Sequence, residues 1–287
     1  MKSYFKLIIA MLIFGSIGIF VKEIPLASNE IVFARTIIGG IFLIFVAIMQ
    51  RKGINKSALK KSLPLLAISG LALGLNWLFL FESYKYTTVS IATLSYYCAP
   101  IIVMLISPII LKEKLTITKI IGIVFAMIGM ILISGTSFGG ENPFKGLIYG
   151  LLAAVFYSSL MILNKLIKGL SSLELTIIQL FFAGIVMFIY VLFTHKGDII
   201  IPSGKPLIIL LLICIVHTGI ACYLYFSSMQ ELPGQTVAMF SYIDPVSALI
   251  LSGIFLGERL SSIQWLGAIF ILGGAAFGEL YRKKSRL

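Results

Sequence analysis

The chain alternates between long apolar runs and short polar segments. Ten runs are long enough to cross the hydrocarbon core of a bilayer, which takes about 20 helical residues. They cover 5–21, 31–49, 63–81, 88–111, 117–133, 146–163, 173–193, 206–228, 236–256 and 263–280. The runs lack the apolar and polar alternation over about ten residues that membrane β-strands show. The pattern therefore predicts an all-α integral membrane protein with ten transmembrane helices.

The composition supports the same class. Hydrophobic residues make up 59% of the 287 residues, charged residues make up 12%, and the mean hydropathy is +1.07. A soluble domain carries about 25% charged residues, so this chain has too little charge to cover a water-exposed surface. The net charge of +12 could indicate nucleic-acid binding, but the basic residues lie in gaps between apolar runs, as in cytoplasmic loops. We therefore expect no nucleic-acid partner.

The basic residues also predict the orientation. If both termini are cytoplasmic, 16 of the 23 Lys and Arg residues fall in inner segments and six in outer segments, with Arg35 inside a span. Cytoplasmic loops carry such an excess. No small-residue cleavage site follows the first run, which we interpret as a retained helix and not a signal peptide. The sequence predicts a multi-pass protein of the cell (cytoplasmic) membrane with both termini in the cytoplasm.

Enzymatic motifs are weak or absent. The chain has no GxxxxGK segment, and its loops are too short for a nucleotide-binding domain. Residues 135–139 match the G-x-S-x-G pattern of esterases, but that motif needs a strand–turn–helix context, and here it ends an apolar run. Three cysteines inside apolar runs and two histidines do not suggest a zinc site. We expect no enzyme, no metal and no cofactor; an intramembrane enzyme is the remote alternative.

The chain matches itself when it is shifted by 145 residues. The match has no gap and contains ten identities in 33 positions. The identical pairs include Tyr97 and Tyr242, Pro100 and Pro245, Glu113 and Glu258, and Phe125 and Phe270. Because an odd number of spans, five, precedes the second copy, that copy enters the membrane in the opposite orientation. We predict two inverted five-helix repeats, 1–140 and 141–287, the architecture of alternating-access transporters.

The repeated segments resemble a known family. TTVSIATLSYYCAPIIVMLISPIILKEKLTITKIIGIVFAMIGMILI resembles the fourth and fifth helices of EamA-type members of the drug/metabolite transporter superfamily. QTVAMFSYIDPVSALILSGIFLGERLSSIQWLGAIFILGGAAF resembles the corresponding helices of the second domain. Arg35 matches an arginine in that family's second helix, and Phe14 replaces the tryptophan of its first-helix motif. The resemblance implies ten helices and movement of small metabolites, often export of amino acids or similar compounds.

Polar residues inside the apolar runs are the candidate substrate-binding residues, because a polar group at membrane depth is costly without a partner. Asp244 and Ser241 share one face of the ninth run, where Asp244 could hold substrate or a proton, or could cap a kink at Pro245. Arg35 could bind an anionic group, form an ion pair with Glu30 or Asp244, or reach outward. His217 could relay a proton, contact substrate, or pack as a neutral side chain.

Aromatic and amide side chains complete the candidate site. Tyr96 and Tyr97 belong to a predicted helical stripe, with Thr93 and Pro100, that could stack on an aromatic or cationic substrate. Asn76, Trp77 and Gln179 lie deep in the third and seventh runs. Other tyrosines, Tyr223, Tyr225 and Tyr281, are typical of anchors at the membrane interface.

The sequence thus predicts a secondary transporter that carries a small polar metabolite by alternating access. The resemblance favours export of amino acids or related compounds. Uptake of a metabolite or a quaternary amine is the alternative, and Asp244 with the tyrosines would suit a cation. The expected partners are a small-molecule substrate and the lipid bilayer. Proton coupling is left open, and the expected oligomeric state is a monomer or a weak dimer.

Overall fold

A computed structural model describes residues 2–21, 23–50, 56–87, 92, 95–134, 141–194, 202–255 and 261–284. The regular structure of these residues is helical. We number the helices in chain order: α1 (Lys2–Val21), α2 (Ser28–Met49), α3 (Lys56–Tyr86), α4 (Ala99–Ile110), α5 (Ile117–Ser134), α6 (Pro143–Leu166), α7 (Ser172–Thr194), α8 (Lys205–Glu231), α9 (Gly234–Phe255) and α10 (Ser262–Lys284).

Among the described residues, seven helices are long and apolar enough to cross a membrane, namely α1, α2, α3, α6, α7, α8 and α9. The other three helices contain shorter apolar stretches, Ala99–Ile110, Ile117–Leu132 and Ser262–Gly278. Large apolar side chains also cover the outside of the bundle, where Ile41, Phe45 and Ile48 of α2 are at least 60% exposed. Lipid tails cover such a surface without cost, so the structure agrees with the predicted membrane-protein class.

Contacts between helix ends define one end of the bundle, which we call the first face. Lys6, near the start of α1, forms an ion pair of 3.1 Å with Glu231 at the end of α8. The Gly234 N–H at the start of α9 donates to Glu113, just after α4, at 2.6 Å. The start of α1 and the ends of α4 and α8 therefore lie together at this face.

The opposite helix ends meet at a second face. Lys205, at the start of α8, forms an ion pair of 2.7 Å with Glu23, which follows α1. Asn29, near the start of α2, donates to the Thr194 hydroxyl at the end of α7 at 3.1 Å. Because α1 and α8 each have one end at each face, both helices run the full depth of the bundle.

The fourth apolar run is interrupted. Tyr97 and Cys98 form a turn directly before α4, and the Cys98 N–H donates to the Ser95 carbonyl at 3.1 Å. The continuous helical stripe predicted through Tyr96, Tyr97 and Pro100 is therefore wrong at this turn, and Thr93 lies outside the described residues. Proline lacks an N–H and its ring clashes with the preceding turn, so Pro100 favours a break just before it.

The ninth run is interrupted in the same way. Within α9, Ser241 and Tyr242 form a turn between the segments Gly234–Phe240 and Ile243–Phe255. This turn ends three positions before Pro245, and the first turn ends two positions before Pro100. The single continuous helix predicted for residues 236–256 is thus two helical segments.

The eighth run contains a third irregularity. A π-helical segment, Ile213–Ile220, lies between the α-helical parts Lys205–Leu212 and Ala221–Glu231 of α8. The wider turn carries His217 and Thr218 to the inside of the bundle, where both are buried. Apolar sequence gives no signal for this change of pitch, and π-helical turns are frequent at functional sites.

Residues that are 145 positions apart meet in space. The Tyr242 hydroxyl donates to the Tyr97 carbonyl at 3.0 Å, and the two rings lie with centroids 5.9 Å apart. Between α5 and α10, a β-carbon added at Gly122 would lie 2.6 Å from the Gly274 carbonyl oxygen. One added at Gly129 would lie 2.5 Å from the carbonyl oxygen of Gly267, which is the counterpart of Gly122.

The helix packing has the same regularity. Helices α3 and α6 pack together, as do α8 and α1; α4 packs on α6, and α9 packs on α1. If each helix is exchanged with the helix five places away in the chain, the contact of α3 with α6 becomes the contact of α8 with α1. The contact of α4 with α6 likewise becomes the contact of α9 with α1. Helices α2 and α7, and α5 and α10, pack against their own counterparts.

Candidate functional site

Asp244 lies at the middle of α9. It stands ten positions after Gly234 and eleven positions before Phe255, so it is about 15 Å from either end of the helix. Its side chain is partly exposed within the bundle, and its carboxylate accepts a hydrogen bond from the Tyr97 hydroxyl. The side chain of Ser252, on the same apolar run, lies outside the described residues.

Three tyrosines lie near this carboxylate and a fourth bonds to one of them, and together they form what we call the tyrosine cluster: Tyr96, Tyr97, Tyr157 and Tyr225. The rings of Tyr96 and Tyr157 stack with centroids 5.2 Å apart and planes 12° apart. The Tyr157 hydroxyl lies 2.5 Å from the Tyr225 hydroxyl. Tyr96, Tyr97 and Tyr157 are all within electrostatic reach of Asp244.

The sequence analysis missed half of this cluster. Tyr157 was not singled out, because α6 is apolar around it and α4 lies sixty residues away in the chain. Tyr225 was predicted to be an interfacial anchor, which is wrong: it is 3% exposed and packs against Phe14 of α1. Tyrosine suits both the membrane interface and the buried interior, since one end of the ring is polar and the other apolar. Only the depth of the residue distinguishes these two positions.

Ser241 and Asn76 extend the cluster. Ser241 lies in the turn within α9, and its hydroxyl is 3.3 Å from that of Tyr157. Asn76 of α3 is buried and donates to the Ala153 carbonyl of α6 at 2.9 Å, and its side chain is also a hydrogen-bond partner of Tyr96. Helices α3, α6, α8 and α9 and the segment directly before α4 therefore all contribute polar groups to one interior region.

Arg35 of α2 lies on another side of the interior. It is 7% exposed, its Nε donates to the Thr218 hydroxyl at 2.8 Å, and its guanidinium lies 5.0 Å from the centre of the Trp77 ring. Among the described residues it has no carboxylate partner, so the ion pairs considered with Glu30 and Asp244 are not formed. Trp77, which the guanidinium lies over, directly follows Asn76 in α3.

His217 lies in the π-helical segment. Its Nε2 is 2.9 Å from the Ser16 hydroxyl of α1, and its ring packs edge-on against Phe20 at 5.3 Å between centroids. His217 and Thr218 are adjacent, so one irregular turn of α8 supplies partners to both α1 and α2.

Gln179 belongs to a separate polar group. Its Nε2 donates to the Ser69 hydroxyl of α3 at 2.7 Å and to the side-chain oxygen Oδ1 of Asn164 in α6 at 2.8 Å. All three residues are buried. Gln179 Oε1 and Asn164 Nδ2 form no hydrogen bond within the described structure. This group lies toward the first face, because Asn164 is close to the end of α6.

Two residues of the repeat have structural partners at the first face. The Glu113 carboxylate accepts from the N–H groups of Gly234 and Gln235, at 2.6 and 3.0 Å, and so caps the first turn of α9. Lys119, which the charge count placed in an inner loop, is buried in α5 and donates to the Gln235 side chain. Glu258, the counterpart of Glu113, lies outside the described residues, as do 135–139.

Metal binding finds no support in the described part of the chain, where no group of three or more His, Cys, Asp or Glu residues could hold an ion. A groove of about 460 Å³ lies between α2 and α7. Its lining, which includes Phe33, Ile41, Phe181 and Phe188, is almost wholly apolar. The hydroxyl of Thr36, its one polar side chain, donates to the Phe33 carbonyl, so the groove suits a polar solute less well than the interior around Asp244.

The model of the EamA-like transporter family matches this chain twice, at residues 1–135 and 144–278. The chain belongs to the EamA-like transporter family. The predicted resemblance to the drug/metabolite transporter superfamily is thereby confirmed, and this EamA-family chain is a multi-pass membrane protein of the transporter class.

Relatives of this EamA-family protein carry transporter names. The uncharacterized transporter YxxF of Bacillus subtilis (strain 168) is 33% identical over 283 residues, which cover 97% of this chain and 89% of YxxF. Protein PecM of Dickeya dadantii (strain 3937) is 27% identical over 178 residues, which cover 60% of this chain and 58% of PecM. A crystal structure with 18% identity superposes with a TM-score of 0.84 and covers 98% of both chains, which shows a shared fold.

Proposed function

We propose that this protein is a secondary transporter that carries a small polar organic solute by alternating access. The observation that carries this proposal is the polar interior around Asp244, at the middle of an interrupted helix. Transporters build substrate sites from such discontinuous helices near the midplane, where irregular backbone and polar side chains line a cavity. A membrane protein with a structural role alone has no need to keep a carboxylate at this depth.

The proposed architecture has ten transmembrane helices in two inverted repeats, 1–140 and 141–287. The two matches of the family model support it. So do the turns before Pro100 and Pro245, and the exchange of helix contacts between the halves. Rocking of one repeat against the other would open the interior to each face in turn. The paired glycines of α5 and α10 would then remain packed, because their backbones are in contact.

The proposed orientation places the first face on the cytoplasmic side of the cell membrane. Both termini then lie in the cytoplasm. The excess of Lys and Arg in the corresponding loops supports it. Lys6 and Lys165 exemplify this excess, and Lys165 donates to the Met229 and Leu232 carbonyls at the end of α8. Basic residues at this face therefore both follow the charge rule and cap a helix.

Proton coupling is a further part of the proposal, and Asp244 is its candidate carrier. It is a titratable group near the midplane, and a carboxylate at that depth persists with a proton, a partner or a substrate cation. Asp244→Asn keeps the size of the side chain and removes its titration. Uptake into energised vesicles should then lose its dependence on a pH gradient.

Reconstitution tests the function and its direction. The purified chain is placed in liposomes, and a panel of amino acids, amines and other polar metabolites is measured with and without a pH gradient. Saturable movement of at least one solute above the rate of protein-free liposomes is expected. Uptake into inside-out cell vesicles would indicate export, and uptake into whole cells would indicate the alternative, an uptake carrier. Rates equal to those of protein-free liposomes for the whole panel would contradict the proposal.

A further inference from the structure

We infer that the Asp244 carboxylate and the tyrosine cluster form a site for an organic cation, an amine whose ammonium group pairs with Asp244 and whose apolar body packs on the tyrosine rings. This inference rests on the proposed transport function and names its substrate class. It depends on three independent features of the interior, which concern the fold of the helix, the surrounding charges and the aromatic lining.

The carboxylate is not needed to build the break in α9. The repeat offers a natural comparison, because the same turn forms before α4 without it. Ala99 occupies the position 145 residues before Asp244, is fully buried, and begins a helix directly after the turn at Tyr97 and Cys98. An apolar residue therefore serves at the equivalent proline-linked break. The interpretation of Asp244 as a structural cap loses its basis.

No cation of the described protein neutralises Asp244. The groups known to lie near it are neutral: Gly15 of α1, Tyr97 in the turn before α4, and Tyr96 and Tyr157. Arg35 and His217, the two basic side chains buried deep inside apolar runs, have partners other than Asp244. Arg35 bonds to Thr218 and lies over Trp77, and His217 bonds to Ser16. A charged carboxylate at this depth needs a cation, and the described side chains supply none.

The lining suits an ammonium group. Tyrosine rings attract cations through their faces, and the attraction grows when water is excluded. The hydroxyls of Tyr157 and Ser241 and the Asp244 carboxylate provide oxygen acceptors for N–H donors. Asp244, Tyr96 and Trp77 each keep partial exposure, so each side chain has a surface that the protein does not cover. An anionic solute would be repelled from the same place.

Binding to the solubilised full-length protein tests this inference with three probes that share a phenethyl body. Phenethylamine carries the ammonium group, phenethyl alcohol lacks the charge, and phenylalanine adds a carboxylate. We expect saturable binding of phenethylamine by calorimetry, at least about tenfold tighter than either other probe. Asp244→Asn should remove this preference. Asp244→Glu should retain it with weaker affinity, and Tyr96→Leu should weaken the amine more than Tyr96→Phe does.

Glu23→Gln is the matched control, because it removes a carboxylate at the second face that pairs with Lys205. Its amine affinity should equal that of the unaltered protein. The elution profile of each variant in size-exclusion chromatography and its thermal unfolding transition establish that it is folded. Absence of phenethylamine binding, or equal binding to Asp244→Asn, would overturn the inference. If a solute without positive charge is transported and Asp244→Asn leaves its affinity unchanged, the transport function stands and the cation site is wrong.

Discussion

The rings of Phe125 and Phe270 pack against each other with centroids 5.4 Å apart, although 145 residues separate them in the chain. The same spacing relates Tyr97 to Tyr242, whose rings also meet. A residue contacts its own counterpart only close to the axis that relates two copies. The four aromatic side chains therefore indicate where such an axis would pass between α5 and α10 and between α4 and α9.

Close packing of α5 on α10 makes Gly129 intolerant of a side chain. Gly129→Ala would place a β-carbon 2.5 Å from the Gly267 carbonyl oxygen, and backbone on both helices would have to shift. We expect a loss of about 1–3 kcal/mol in the free energy of unfolding, measured by denaturation of the solubilised protein.

Gly273→Ala is the control for this loss. It makes the same change of residue type within α10, but its β-carbon would meet nothing within 4 Å. Its effect should stay within about 0.5 kcal/mol. Equal effects of the two substitutions would contradict the packing described for Gly129.

The Glu113 carboxylate stabilises the start of α9. Glu113→Gln retains one carbonyl oxygen, loses the negative charge, and replaces an acceptor of the Gly234 and Gln235 N–H groups with a donor. We expect it to lower the free energy of unfolding by about 1–2 kcal/mol. Glu23→Gln, at an exposed ion pair, should change it by less than about 0.5 kcal/mol. If Glu23→Gln lowered the free energy of unfolding more than Glu113→Gln does, the stabilising role of the Glu113 cap would be contradicted.

The hydrogen bond from Arg35 to Thr218 links α2 to the π-helical segment of α8. A double-mutant cycle of Arg35→Lys and Thr218→Val should give a coupling energy of about 0.5–3 kcal/mol, because lysine cannot hold the same hydroxyl while lying over Trp77. Thermal unfolding of the four proteins measures it. Thr176→Val, which removes a hydroxyl bonded within α7, should show no coupling to Arg35→Lys.

The orientation can be read by labelling. In a chain with Cys98, Cys214 and Cys222 replaced by alanine, Glu141→Cys at the second face should react with a membrane-impermeant maleimide in intact cells. Lys61→Cys, at the first face, should react only after permeabilisation. The charge asymmetry of the loops is the physical reason. The reverse pattern would place the first face outside and contradict the predicted orientation.

Much of this protein follows from its sequence. The apolar runs and the scarcity of charge predicted the helical membrane class, and the motifs around Pro100 and Pro245 predicted the family. Asp244, Arg35 and His217 could be selected singly, because a polar group inside an apolar run stands out whatever its surroundings. The ten-span count, the inverted repeats and the roles of these residues stay predictions.

The tertiary structure alone decided which polar residues meet. In a membrane helix the lipid-facing and protein-facing positions are both apolar, so the periodicity that marks the inner face of a soluble helix is absent. Tyr157 and Tyr225 therefore could not be distinguished from interfacial tyrosines, and Gln179 could not be separated from the group around Asp244. The π-helical turn at His217 also left no trace in the apolar pattern, and its bonds to Ser16 of α1 and Arg35 of α2 are visible only in the folded chain. Contacts between residues far apart in the chain, and not local pattern, placed the carboxylate beside Tyr97 and within electrostatic reach of Tyr96 and Tyr157.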